Sequence, residues 1–130
     1  MIRRFLVATV AAAGLAAVAC GGGSGTGTAS TPTPKATAQT VSFTETEFKI
    51  DTASTSLKAG DYVFQVKNAG SFPHDLHVAT PDGTEVAKSD LLQAGASGSF
   101  QVTLKAGTYQ MWCAVDSHKA RGMAGTLTVT

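Results

Sequence analysis

From about residue 41 to the end, the 130-residue chain repeats one device: a short run of strand-forming residues closed by Gly, Pro, Asn or Asp. Runs of this kind over 41–50, 62–67, 74–80, 98–104, 108–114 and 125–130 predict strands joined by tight turns, with no long amphipathic helix among them. The segment Leu57-Lys58-Ala59-Gly60-Asp61-Tyr62 recurs as Leu104-Lys105-Ala106-Gly107-Thr108-Tyr109. In both copies Gly supplies the freedom that a turn requires, and Tyr follows inside the next strand. Equivalent corners of a Greek-key fold account for the recurrence. Many short strands of this spacing define an all-β sandwich, and residues 41–130 suffice for one small domain. The pattern weakens between Glu85 and Gln93, where Ser89-Asp90-Leu91-Leu92 is expected to start a short helix or form a loose loop.

The N-terminal part belongs to a different physical class. Met1-Ile2-Arg3-Arg4 is basic, and the apolar, Ala-rich run over 5–19 is too short for a comfortable membrane span, as in a secretory signal. Its end, Ala17-Val18-Ala19-Cys20 followed by three Gly, resembles a bacterial lipobox, with Leu15 two positions upstream of the usual Leu site. The resemblance implies a signal peptide over 1–20 and lipidation at Cys20; the alternatives are an uncleaved anchor or an ordinary signal. Residues 21–40 are rich in Gly, Ser, Thr, Ala and Pro. Such a composition cannot bury enough apolar surface to offset its ordering entropy. It reads as a flexible linker with a mean reach of roughly 25 Å.

Charge excludes one class of partner. With 10 Lys and Arg against 9 Asp and Glu, the chain has no electrostatic footprint for nucleic acid. Cysteine use is more informative. Cys20 and Cys113 are the only two in the sequence, and their surroundings differ too much for a disulfide framework. Cys113 is thus a lone thiol in an exported domain, a place where an unprotected thiol oxidises and a metal-bound one is shielded.

Cys113 also begins a pattern, because His118 and Met123 follow it at five-residue steps. One loop therefore offers a thiolate, an imidazole and a thioether. A second His comes from Phe72-Pro73-His74-Asp75. Two His, one Cys and a weak Met are the donor set of an electron-transfer copper site. Strand alternation sends Tyr109, Met111 and Cys113 to one face and Gln110 and Trp112 to the other, which puts the thiol at the end of the core. His77, three residues beyond His74, falls on the opposite face and is expected to be a solvent-side residue.

These segments resemble the cupredoxins, the family of plastocyanin, azurin and rusticyanin, over residues 41–130. Asn68-Ala69-Gly70-Ser71-Phe72-Pro73-His74-Asp75 is similar to the family's turn into its first ligand, and Gly107-Thr108-Tyr109 up to Cys113 to its approach to the ligand loop. The resemblance implies a cupredoxin-like sandwich holding one copper ion through His74, Cys113 and His118, with Met123 axial. Two departures stand out. The loop Ala114-Val115-Asp116-Ser117 lacks the usual Pro, and Asp116, if near the ion, would favour its oxidised state. Asp75 replaces a common Asn; an ionised carboxylate accepts hydrogen bonds but cannot donate them, so the surroundings of the ligands must be wired differently.

Such a site suits single-electron transfer between redox proteins rather than catalysis, since it leaves no open coordination position. Paired His-x-His segments for further coppers are absent, as is a second Cys for a dinuclear centre. The alternative reading is a protein of copper storage, delivery or tolerance, although such proteins favour Met-rich or His-rich segments and this chain has only three Met. A cupredoxin-like adhesive module without metal is a third. The expected location is the bacterial cell envelope, on the periplasmic or extracytoplasmic face of a membrane and held there by the lipid anchor, with the protein monomeric. Phe72, Pro73, Ala114, Val115 and Ala120 are expected to form an apolar docking rim around His118, flanked by Lys119 and Arg121.

Overall fold

The computed structural model describes residues 37–130; the expected signal segment with Cys20, and the expected linker as far as residue 36, lie outside the described residues. The strands are β1 (Gln39–Thr46), β2 (Lys49–Thr52), β3 (Ser56–Leu57), β4 (Gly60–Asn68), β5 (His77–Ala79), β6 (Glu85–Lys88), β7 (Ser97–Leu104), β8 (Gly107–Trp112) and β9 (Ala124–Val129). They form two sheets, ordered β2-β1-β4-β7 and β3-β9-β8-β5-β6. β1 pairs with β4, and β3 with β9, in parallel; the other pairings are antiparallel. This is the expected all-β sandwich.

Alternation builds the interior. Tyr62, Phe64 and Val66 of β4, Val102 and Leu104 of β7, Tyr109 and Met111 of β8, and Leu127 and Val129 of β9 all turn inward and are buried. Phe64 is central, with its ring 4.8 Å from that of Phe43 and 5.5 Å from that of Phe100. Truncating a fully buried Phe to Ala costs roughly 3–5 kcal/mol. At the start of β4 the Tyr62 hydroxyl donates to the Lys58 carbonyl (2.7 Å), and at the start of β8 the Tyr109 hydroxyl donates to that of Lys105 (3.0 Å). The recurring hexapeptide is thus a pair of matching tyrosine corners.

Two strand expectations change. The run 41–50 is two strands, because the chain reverses at Glu47 and Phe48, with Phe48 at φ 66°, and β2 pairs back onto β1. The run 74–80 shrinks to β5, since His74 makes only an isolated bridge, its N–H donating to the Leu92 carbonyl (3.0 Å) and its carbonyl accepting from the Leu92 N–H (2.8 Å). Of the two forms expected over 89–92 the structure takes the loop: the Ser89 hydroxyl accepts the Leu76 N–H (3.0 Å), and Leu92 seals the bridge to His74. The edge strands β3 and β6 carry no apolar alternation for a sequence reading to detect, since β6 is mostly exposed. Among the described residues no helix is long and apolar enough to cross a membrane.

Candidate metal centre

β4 and β8 run towards the same end of the sandwich, and the prospective ligands lie just beyond them. His74 follows the loop that leaves β4, Cys113 is the first residue past β8, and His118 precedes a single 3-10 turn over Lys119–Arg121. The Cys113 Sγ is 3.5 Å from the His118 Nδ1 and 3.8 Å from the His74 Nδ1. All three donor atoms lie within 4.8 Å of one another. Cys113 and His74 are wholly buried, and His118 is 7% exposed.

Backbone bonds hold the loop closed. The Cys113 N–H donates to the Met123 carbonyl (3.1 Å), and the Met123 N–H donates to the His118 carbonyl (3.0 Å). Gly122, at φ 105°, supplies the left-handed residue that ends the turn and returns the chain to β9. These bonds set the backbone of Met123 beside Cys113 and His118, and its side chain is fully buried.

Burial pushes the Cys113 thiol up to about 11, against the backbone N–H groups of Asp75 and Val115, which favour the thiolate. His74 is pushed down from the ordinary imidazole range, first by burial and then by His118. Without a metal the pocket therefore holds a neutral thiol and a neutral imidazole at His74. A divalent ion would displace the thiol proton and supply the charge that the thiolate lacks. One soft sulfur and two imidazole nitrogens facing each other in a dry pocket fit copper.

The surroundings of the three donors differ from expectation in particular ways. Asp75 accepts the Ala114 N–H at Oδ1 (2.6 Å), and its Oδ2 is 3.3 Å from the His77 Nε2. His77 is not a solvated side chain. Its Nδ1 is 2.5 Å from Glu85 Oε2, and its ring stacks on Trp112 at 5.5 Å. The cause is register, which places His77 opposite both Lys88 of β6 and Trp112 of β8. Asp116 is exposed, at φ 42°, and borders a cavity of about 260 Å³ together with Phe48, Phe72, Ser117, His118 and Arg121. Phe72 is 57% exposed, Ala114 and Ala120 are exposed, and Pro73 and Val115 are half-buried. Lys119 and Arg121 are not free charges, for Lys119 Nζ sits 4.1 Å above the Trp112 ring and the Arg121 guanidinium 4.9 Å from the Phe48 ring.

Three residues near the site escape sequence reasoning. The Asn68 amide donates to the Phe72 carbonyl (2.7 Å) and the Leu92 carbonyl (2.9 Å), and its Oδ1 accepts the Gly70 N–H (2.9 Å). Glu45 is fully buried, with neither carboxyl oxygen bonded. Glu47 Oε1 accepts the N–H groups of Ser71 and, at 3.0 Å, Phe72. A usable signal was present for one of them: Glu45 continues the inward parity of Val41 and Phe43, where an apolar residue is expected.

A β-sandwich with a buried Cys and two His at one end defines a blue copper protein as a class. Residues 37–130 match the model of the copper binding proteins of the plastocyanin/azurin family, and the chain belongs to that family. Among solved structures, auracyanin B shares 27% identity with a TM-score of 0.64, covering 75% of this chain and 91% of its own. Auracyanin A, a "blue" copper protein from Chloroflexus aurantiacus, matches in fold at 19% identity and TM-score 0.62, over 70% of this chain and 98% of its own. The dithionite-reduced auracyanin of Roseiflexus castenholzii does so at 18% and 0.62, over 72% and 98%. No curated protein sequence matches the chain. One copper ion is the cofactor, and blue copper electron transfer is the function that family and site support.

Proposed function

We propose that this protein is a tethered carrier of single electrons, in which His74, Cys113, His118 and Met123 are the residues that would hold copper. The mutual approach of the three buried donor atoms, within 4.8 Å, is the observation that carries this assignment. Copper supplies a one-electron couple when bound. The protein's part is to keep the donors still in both oxidation states, and the bonds of Cys113, His118 and Met123 to one another, together with Asn68 and Asp75 between the ligand segments, support that role. Full burial of His74 and Cys113 is in keeping with a carrier rather than an enzyme.

Electrons leave through His118, the least buried of the three, beside the exposed ring of Phe72. A small apolar rim of Phe72, Pro73, Ala114, Val115 and Ala120 suits brief encounters with a redox partner. In this reading Cys20 carries the lipid, residues 21–40 serve as the tether, and the monomeric domain works at the periplasmic or extracytoplasmic face of a membrane in the bacterial cell envelope. Adding Cu(II) to the metal-free protein tests the central assignment: an intense visible charge-transfer band is expected, and its absence defeats it. Metabolic labelling with a radioactive fatty acid, lost on Cys20→Ala, tests the anchor.

A further inference from the structure

The first ligand loop is held by a carboxylate from another strand. β1 ends where the chain reverses, and the reversal carries Glu47 across to the loop between β4 and His74. There its Oε1 accepts two successive N–H groups, those of Ser71 and Phe72. Glycine at position 70 leaves room for this approach, since a Cβ there would come within 2.6 Å of the same oxygen and push the carboxylate aside. Two backbone N–H groups donating to one carboxyl oxygen favour the ionised carboxylate.

His74 presents the complementary need. Its Nδ1 faces the Cys113 sulfur, whereas its Nε2 is buried and has no hydrogen-bond partner. Once Nδ1 is given to a metal, Nε2 must carry the proton and becomes an obligatory donor. A buried donor left unmatched is costly. Glu47 Oε1 stands 3.9 Å from that nitrogen, just beyond hydrogen-bond length; the loop uses both acceptor sites of that oxygen, so a small rotation of the carboxyl that brings Oε2 to the ring completes the contact.

We propose that Glu47 is a positioning residue for the copper site: its carboxylate accepts the His74 Nε2 proton, fixes the tautomer that frees Nδ1, and lowers the reduction potential. The potential falls because a carboxylate partner makes an imidazole a stronger donor and places negative charge near the ion, both of which favour Cu(II). This inference rests on His74 being a copper ligand.

The test uses the full chain and three measurements. In the Cu(I) protein, which is diamagnetic, nitrogen-proton correlation spectra report the His74 tautomer and the exchange of its Nε2 proton. A downfield proton that exchanges slowly with deuterium is expected in the wild type. Glu47→Gln keeps an oxygen for the Ser71 and Phe72 N–H groups but loses the charge. It should keep the visible band, speed exchange of the Nε2 proton, and weaken Cu(II) relative to Cu(I) about tenfold, a rise in potential of about 59 mV. Glu47→Ala, which also frees the loop, should lower copper affinity further in competition with a chelator. A coloured Glu47→Gln protein with wild-type potential and wild-type exchange overturns the role of Glu47. If that variant fails to load copper, a rapidly exchanging Nε2 proton in the wild type does so instead. No visible band in the wild type defeats the ligand assignment itself, a separate failure.

Discussion

β4 and β8 each begin at a tyrosine corner and end beside the metal ligands, so the same two strands join regions held by opposite kinds of contact. At the corners each hydroxyl bonds a carbonyl four residues back, and in one of them the Lys105 N–H also donates to the Tyr109 hydroxyl at 3.1 Å. At the other end the ties span 24 residues from Asn68 to Leu92 and 39 from Asp75 to Ala114. The corners are also satisfied, whereas the metal end holds a buried thiol, an unbonded imidazole nitrogen and an unbonded buried carboxyl. Local bonds form wherever the hexapeptide occurs. Long-range ones exist only once the sandwich has closed, and there stability is given up for a dry pocket that a metal completes.

The largest test of this contrast is Cys113→Ser, which should abolish the visible band while far-ultraviolet dichroism still reports the β sandwich. Because the thiol is held up at about 11, loading the wild type near pH 8 should release about one proton per copper, and the serine variant should release none. A coloured variant, or one that no longer folds, would break the separation between fold and site.

Next in size is Glu45. Burial, and secondarily the charge of Asp75, raises its carboxyl from 4.5 to about 7. The folded state therefore holds the proton more tightly than the unfolded state does. Below pH 4.5 both states are protonated and no penalty applies. Between that value and about 7 stability falls as pH rises, by about 3 kcal/mol in all. Denaturant unfolding of the metal-free protein at pH 5 and pH 8 should show this loss, and Glu45→Gln should remove most of it. Equal slopes in both proteins would mean that Glu45 has found a partner.

Asn68→Ala should cost about 2 kcal/mol, by leaving buried backbone groups unmatched, and should also weaken copper binding, because Asn68 joins the loop before His74 to Leu92. The smallest effect is expected at the corners. Tyr62→Phe should cost about 1 kcal/mol and leave the spectrum of the copper form unchanged. A spectral shift in Tyr62→Phe comparable to that in Asn68→Ala would show the two ends to be coupled through β4.

What the sequence determined by itself is what depends on neighbours along the chain. The strands over 62–67, 98–104, 108–114 and 125–130 reappear within two residues as β4, β7, β8 and β9, since alternation and turn residues act locally. Cys113, His118 and Met123 were legible as a group because five-residue steps confine them to one loop, and the hexapeptide already contains both ends of each corner bond. The tertiary structure alone decided the rest. Nothing near His77 in sequence foretells its stacking on Trp112 or its contact with Glu85, because register across β5, β6 and β8 creates both. Glu47 and Asn68 are likewise ordinary polar residues until the sheets close, when burial turns each unmatched N–H, carbonyl or ring nitrogen into a cost that a distant side chain must meet.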